Sequence, residues 1–351
     1  MNTGNQRERC SSAIACVCCK DSAHKQGESM IHTKIIGTGS YTPAKTLTNQ
    51  DLTRFVDTDD EWIQSRTGIK ERRIVTREGT TDLAYEASIK AIINANITAG
   101  DIDLLIVATT TPDNHFPSTS NLLQARLGLN EVMSFDVNAA CSGFVYALNI
   151  ADKMIKSGAY NKALIVGAET LSRLTDWRDR NTCVLFGDAA GAMVISKSDN
   201  SKIHDVFCGS RGDTDNFLMC RNVATKDPEV NAVSEQDHIH MKGGDVFKFA
   251  TRIVPEIVSQ LLVRNDKSLD DIECIIAHQA NKRIITKSAK ALNVDMSKMF
   301  VNIDKYGNTS AASVPLAIDE AIRNNSLREG QAFITLAFGG GLSWGGALIT
   351  L

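Results

Sequence analysis

The sequence predicts a mixed α/β protein with central sheets covered by helices, arranged as two related halves. Continuous apolar stretches at residues 102–108 and 163–167 alternate with amphipathic ones such as residues 82–97. An unbroken apolar run of that length suits a strand covered on both faces, and a three-to-four spacing suits a helix with one buried side. The chain also resembles itself: residues 101–106 line up with 271–276, residues 150–155 with 317–322, and residues 187–195 with 341–349. Self-similarity on this scale suggests a duplicated unit. Run back without a gap, the middle alignment sets Cys141 opposite Asn308, so that two helix starts are expected to converge on one central site. The expected divisions are an N-terminal extension at 1–29, one half at 30–200 and another at 201–351.

Residues 1–29 differ from the rest, being polar, rich in Ser and Cys, and without a helix or strand period. Three readings fit Cys10, Cys16, Cys18, Cys19 and His24. A metal knuckle would favour two C-x2-C pairs, which the stretch does not supply. A signal peptide would follow Arg7 and Arg9, but the apolar core is short and no small-residue cleavage site follows it. The third reading, a disordered tail or an upstream start ahead of Met30, is the one expected, and no metal is expected anywhere.

From Lys34 the pattern is globular. Residues 35–41 read as a short strand running into a glycine turn at Gly37 and Gly39. Asp59 opens a short helix that Gly68 ends. A long amphipathic helix covers residues 82–97, capped by Thr80, Thr81 or Asp82. The apolar strand at 102–108 follows, then a helix at 118–127. A strand at 133–137 feeds the stretch 138–144, where Cys141 lies between Ala140 and Ser142. A helical pattern leaves it, with Phe144, Val145, Leu148, Ala151, Met154 and Ile155 on one stripe.

Bulk properties narrow the function. With 351 residues, 43% of them hydrophobic and 23% charged, the chain has the composition of a soluble globular protein. A net charge of −3 gives no general reason to expect nucleic acid or a membrane as a partner. No apolar run approaches the roughly 20 residues that cross a bilayer. An odd count of nine scattered cysteines points to reduced thiols and a cytoplasmic protein.

Cys141 sits where a helix begins. Helix N-termini carry free N–H groups and about half a positive charge, which favours the reactive thiolate. His278 follows the apolar run 274–277, at a strand end where functional side chains of α/β sheets gather. Asn308 lies in a polar turn that opens the last long helix. Together they supply a nucleophile and two side chains able to donate hydrogen bonds to a developing oxyanion.

The stretches 138–144, 278–284 and 306–313 resemble the Cys-His-Asn site of thiolase-fold condensing enzymes, most closely the β-ketoacyl-acyl-carrier-protein synthase III family. The match extends through 34–41, 57–63, 66–69 and 338–345, so that it covers essentially everything from Met30 to Leu351. The resemblance implies a cytoplasmic homodimer that needs no cofactor and uses acyl-CoA and acyl carrier protein as partners. Cys141 would take an acetyl group from acetyl-CoA as a thioester. Malonyl-acyl-carrier protein would then lose carbon dioxide and attack it, initiating fatty acid synthesis. The backbone N–H groups of Cys141 and Gly340 would form the oxyanion hole, and His278 and Asn308 would donate to the enolate.

The same resemblance places the CoA adenine between Trp62 and Arg180, with Asn181 standing where a glycine is usual. Thr58, Arg66 and Asn281 would line the pantetheine tunnel, and Phe116 would floor the acyl pocket across the dimer interface. Lys248, Lys282, Arg283, Lys287 and Lys290 would form a basic rim for the acidic carrier protein. Two rival readings are a related thiolase-fold enzyme of secondary metabolism and a catalytically silent scaffold; the intact Cys-His-Asn set argues against both.

Overall fold

The computed structural model describes residues 30–221 and 237–351; Cys10, Cys16, Cys18, Cys19 and His24 lie outside the described residues. Two sheets organise Ile31–Leu351, which forms one compact unit. The first contains β1 (His32–Tyr41), β2 (Leu104–Ala108), β3 (Met133–Val137), β4 (Lys162–Thr170) and β5 (Asp188–Ser198), in the order β1-β5-β4-β2-β3. The second contains β6 (Ile203–Ser210), β7 (Cys274–Ala277), β8 (Ala332–Gly339) and β9 (Ser343–Thr350), in the order β7-β8-β9-β6. In each sheet the inner strand pair is antiparallel, β4 with β5 and β8 with β9, and a parallel strand lies beside it, β2 or β7.

The helices of eight residues or more are α1 (Asp60–Thr67), α2 (Thr80–Asn94), α3 (Thr119–Leu127), α4 (Gly143–Lys156), α5 (Gly243–Arg264), α6 (Lys282–Ala291) and α7 (Ser313–Arg323). They complete five layers. One cluster joins α4 and α7 to the facing sides of both sheets, through Phe144, Leu148, Ile165, Ile276, Val314, Ile318 and Phe333. Leu83, Ala87, Leu123 and Val166 join α2 and α3 to the outer side of the first sheet. Ile257, Leu261, Ile285 and Leu336 join α5 and α6 to the outer side of the second. Each such aliphatic or aromatic side chain contributes roughly 1.5–3 kcal/mol by leaving water. A strand covered on both sides must be apolar throughout, and every residue of β2 is buried.

Most expected elements form within a few residues of their expected bounds, and two expectations change. Gly37 and Gly39 lie inside β1, not in a turn after it. A Cβ at Gly37 would meet the Ala91 carbonyl oxygen at 2.4 Å, and one at Gly39 would meet that of Ala87 at 2.5 Å. The glycines therefore let α2 lie directly on the strand. The self-alignment also shifts. Asp101 and Asp271 end equivalent 3-10 turns, Leu104 and Cys274 start β2 and β7, Lys162 and Ala332 start β4 and β8, and Gly143 and Ser313 start α4 and α7. All four pairs share one register, with 170 residues between partners. That register sets Cys141 opposite Ala311 and Asn138 opposite Asn308, three residues away from the expected pairing. Ala140 and Ser310, its equivalent, share a left-handed backbone with φ of 47° and 46°.

Candidate active site

Cys141 lies in a 3-10 turn, Ala140–Ser142, between the edge strand β3 and α4. Its counterpart, Ser310–Ala312, opens α7, and the two turns pack against each other between the sheets. Gly167 of β4 permits this, because a Cβ there would lie 2.3 Å from the Ala311 carbonyl oxygen. Gly339, at the end of β8, lies against the other side of Cys141; its missing Cβ would be 2.9 Å from the Cys141 backbone nitrogen. Ser343 ties down the same turn, its Oγ donating to the carbonyl oxygens of Ala139 at 3.0 Å and Gly340 at 2.9 Å.

The helix start alone favours a thiolate, but packing reverses the sign. Burial pushes the Cys141 thiol up to about 11, and the nearby charge of Glu169 pushes the same way, against a hydrogen bond from the Ser310 side chain. At rest Cys141 is a thiol.

His278 follows β7 and is 1% exposed. Its backbone N–H donates to Leu336 at 2.8 Å, and its ring meets Phe338 edge-on with centroids 5.4 Å apart. Phe338 immediately precedes the glycine that touches Cys141. Nδ1 is buried without a hydrogen-bond partner. Burial lowers the imidazole to about 3, so the ring is neutral at neutral pH. Asn308 is fixed by its backbone, donating to Leu185 at 2.8 Å and accepting from Gly187 at 3.0 Å. Its Oδ1 accepts from the Ser310 N–H at 2.9 Å, which leaves Nδ2 as the donor end of the amide.

Trp62 lies on α1, which Asp59 caps through the Trp62 N–H at 2.7 Å and Gly68 ends in a left-handed conformation. The Arg180 guanidinium lies over the Trp62 ring, 3.9 Å from its centroid. The two expected walls of the adenine slot thus touch, and a base between them would have to part them. Thr58 Oγ1 and Arg180 Nε are buried without partners. Asn181 donates its side-chain amide to Asp179, which caps the Arg180–Cys183 turn. Asn281 caps α6 through the Arg283 N–H at 2.8 Å and donates to the Arg66 carbonyl at 3.1 Å, binding α6 to the end of α1.

Lys282, Arg283 and Lys287 are exposed on the first turns of α6. Arg283 and Lys287 both lie over the Phe247 ring of α5, at 5.4 and 5.3 Å, and Lys248 pairs with Asp245 at 3.2 Å. Phe116, in the loop between β2 and α3, is 87% exposed.

The sequence reading missed Glu169, which lies near the end of β4, is fully buried and acts by its charge on Cys141. Its carboxyl accepts from the Thr110 N–H at 3.1 Å and the Thr110 and Thr111 hydroxyls at 2.9 and 2.8 Å. The available signal was a charged residue ending an apolar run, near a threonine triplet ending another. A second missed network lies behind the expected adenine slot. Buried Arg72 donates to Asn49 at 2.9 Å and to the Val184 carbonyl at 2.7 Å, and Asn49 donates to Asp60 at 2.8 Å.

The family described as 3-oxoacyl-[acyl-carrier-protein] synthase III matches residues 135–212, and its C-terminal counterpart matches residues 262–351. A β-ketoacyl-[acyl-carrier-protein] synthase III of Xanthomonas campestris pv. campestris is 49% identical over 326 residues, 91% of this chain and 98% of that protein. The enzyme of that name from Clostridium acetobutylicum is 46% identical over 322 residues, 91% of this chain and 99% of that protein. The solved structure of 3-oxoacyl-[acyl-carrier-protein] synthase III from Aquifex aeolicus VF5 superposes with a TM-score of 0.85 at 46% identity, covering 91% of this chain and 100% of that one. With its layered fold and near full-length identity, the chain belongs to the 3-oxoacyl-[acyl-carrier-protein] synthase III family of thiolase-fold condensing acyltransferases.

Proposed function

We propose that the chain condenses an acyl-CoA primer, acetyl-CoA, with malonyl-acyl-carrier protein to give 3-oxoacyl-acyl-carrier protein, carbon dioxide and CoA by way of a Cys141 acyl-enzyme. The observation that carries this is the buried Cys141 thiol seated against Gly339, with neutral His278 behind Phe338 and Asn308 two residues before Ser310.

The Cys141 sulfur attacks the thioester carbonyl and expels CoA. Negative charge gathers on the carbonyl oxygen, for which the backbone N–H groups of Cys141 and Gly340 are the donors. Contact between Gly339 and the Cys141 backbone supports this pairing, since it carries Gly340 to the same edge. Malonyl-acyl-carrier protein then loses carbon dioxide, and enolate charge appears on its thioester oxygen. His278 Nε2 and Asn308 Nδ2 donate to it. A neutral donor suffices there, and the depressed His278 is neutral; the commitment of Asn308 Oδ1 to Ser310 turns Nδ2 towards that task.

Trp62 and Arg180 hold the CoA adenine after parting, and the unpartnered Thr58 Oγ1 and Arg180 Nε are polar atoms able to meet the rest of the cofactor-like carrier. The spent amide of Asn281 favours a positioning role for that residue, holding Arg66 in place. The halves 30–200 and 201–351 form one duplicated unit, a reading supported by the common register of equivalent elements. The five cysteines among the described residues are free, which fits a reducing compartment such as the cytoplasm.

The deciding experiment is intact mass spectrometry after incubation with acetyl-CoA, followed by peptide mapping. An acetyl group on Cys141 that malonyl-acyl-carrier protein discharges supports the reading. An adduct only with longer or branched acyl-CoA moves the substrate, and none with any acyl-CoA removes the reading.

Two further outcomes follow. The exposed Phe116 ring supports a homodimer in which it floors the partner's acyl pocket. Phe116→Ala is expected to raise kcat/KM for longer primers at least about 10-fold relative to acetyl-CoA, about one to two methylenes' worth of pocket; competition assays with an acyl-CoA series check this, and an unchanged preference rejects the role. Arg283→Glu is expected to slow carrier-protein association about 10-fold and to flatten its salt dependence, because rim charges act mainly on the on-rate. Stopped-flow binding at several ionic strengths would show it; the same rate and slope as wild type would remove the basic rim from docking.

A further inference from the structure

Arg72 is among the largest side chains that the protein buries completely, and it hydrogen-bonds to neutral oxygens. It lies on the short strand Glu71–Arg73. Its Nη1 donates to Asn49 Oδ1 at 2.9 Å and to the Leu47 carbonyl at 3.2 Å, and Nη2 donates to the Val184 carbonyl at 2.7 Å. Its Nε is buried without a partner. A buried cation held by neutral groups is costly, and an apolar side chain would fill the same space without that cost. What an apolar side chain lacks is a rigid planar fork with donors in fixed directions.

The two arms of the fork reach the two sides of the expected adenine slot. Val184 follows the turn Arg180–Cys183, so Nη2 holds the segment that carries Arg180. Asn49 passes the other arm on to α1. Its Nδ2 donates to Asp60 Oδ1 at 2.8 Å and to the Ile69 carbonyl at 2.7 Å. Asp60 is the first residue of α1 and Ile69 follows Gly68, its C-cap, so one amide grips both ends of the helix that carries Trp62. The contact of Arg180 with Trp62, at 3.9 Å, closes the ring. Arg72 and Asn49 are 0% and 1% exposed, too buried to touch a ligand themselves.

We propose that Arg72, acting through Asn49, is a positioning residue for CoA: it fixes the Arg180 turn and α1 at the separation that admits the adenine once the Arg180 side chain swings off Trp62. This rests on the reading that Trp62 and Arg180 hold the adenine, and adds to it the residues that hold the two walls. With the frame intact, the slot opens by rotation of one side chain, and both walls are already placed for the two faces of the base. With the frame cut, the two segments drift apart, and ordering them again is charged to binding. The loss then falls on the nucleotide end of CoA and spares the chemistry at Cys141.

The test uses the full chain. Calorimetry measures CoA affinity, and intact mass follows acetylation by acetyl-CoA and by acetyl-N-acetylcysteamine, a thioester with no nucleotide. Arg72→Lys keeps the charge and loses the fork, and is expected to weaken CoA about 10-fold, the scale of one hydrogen bond to a charged group. Acetylation at saturating acetyl-CoA, and by acetyl-N-acetylcysteamine, should stay within about two-fold of wild type, as for a change in binding alone. Asp60 is exposed, so Asp60→Ala cuts the last link without disturbing the core. It should weaken CoA about 3-fold, and Asp60→Asn, which keeps an acceptor for Asn49, should restore wild-type affinity. In a Trp62→Ala background neither Arg72→Lys nor Asp60→Ala should weaken CoA further, because both act through the slot; a merely structural role would add its full factor again. Where Arg72→Lys folds poorly, the two Asp60 variants decide. Wild-type affinity in Trp62→Ala removes the adenine reading itself. A weakened Trp62→Ala beside unchanged Arg72→Lys or Asp60→Ala, additive effects, or slowed acetylation by acetyl-N-acetylcysteamine overturns the frame alone.

Discussion

Cys141→Ala is expected to abolish acetyl transfer and to lower condensation about 10⁴-fold, while malonyl-acyl-carrier protein is still decarboxylated. A 10⁴-fold loss is about 5.5 kcal/mol of transition-state stabilisation, the scale of losing a covalent nucleophile whose supporting groups act only with it. The residue is 7% exposed and sits between Gly339 and the Ser310 turn. Truncation there removes one sulfur atom from a packed site and leaves the backbone N–H in place. The proposed enolate site, by contrast, draws on His278 on the β7 side and Asn308 before α7, neither of which needs the sulfur. Intact mass with acetyl-CoA and a carbon dioxide assay with malonyl-acyl-carrier protein separate the two halves. An acetyl adduct in Cys141→Ala would move the nucleophile elsewhere.

Replacing the proposed enolate donors should produce the complementary defect. His278→Ala and Asn308→Asp are each expected to cut decarboxylation about 10²–10³-fold, the usual effect of removing one oxyanion donor, with Cys141 acetylation changed only a few-fold. Asn308→Asp is the sharper variant, since it keeps the oxygen that accepts from the Ser310 N–H at 2.9 Å and exchanges the amide donor for a carboxylate oxygen. Single-turnover acetylation and steady-state decarboxylation on the same samples would distinguish this from a general collapse, which would lower both.

The pH dependence has a definite sign. Burial holds His278 near 3, so its imidazole stays neutral as pH falls through 6.5, and decarboxylation should show no acid limb from this residue in that range. Stability moves the other way. The unfolded chain gains a proton on this histidine below about 6.5 and the folded chain does not, so the fold loses stability as pH falls from about 6.5 towards 3. This one site accounts for up to about 1.4 kcal/mol per pH unit. Thermal melts of wild type and His278→Gln across that window would show a smaller acid shift in the variant.

Much of this protein is written locally. The apolar run that becomes β2 is buried at every residue, Asp59 and Gly68 cap and end α1, and Ser118 and Gly128 do the same for α3. Cys141 and His278 were legible because each follows a strand and precedes a helix start, and Asn308 because it lies in a polar turn that opens the last long helix. Such features depend on neighbours a few positions away, which is why a single sequence carries them.

Other features were settled only by packing between distant segments. Gly37 and Gly39 read as a turn until α2 is laid against β1, where only the absence of a Cβ allows the approach. The partner of Cys141 in the duplicated register is Ala311, because strands and turns of both halves fix a common spacing that the helix pattern alone misplaces. Trp62 and Arg180 touch across segments far apart in the chain. The reading of Cys141 changes sign: its place before α4 argues for a thiolate, whereas burial and the Glu169 charge raise it to about 11. The sequence by itself determined the layered α/β plan and the three polar residues at its strand ends and helix starts. The tertiary structure alone decided their protonation and their company, Glu169 and Ser310, because desolvation and charge act through space and bear no relation to distance along the chain.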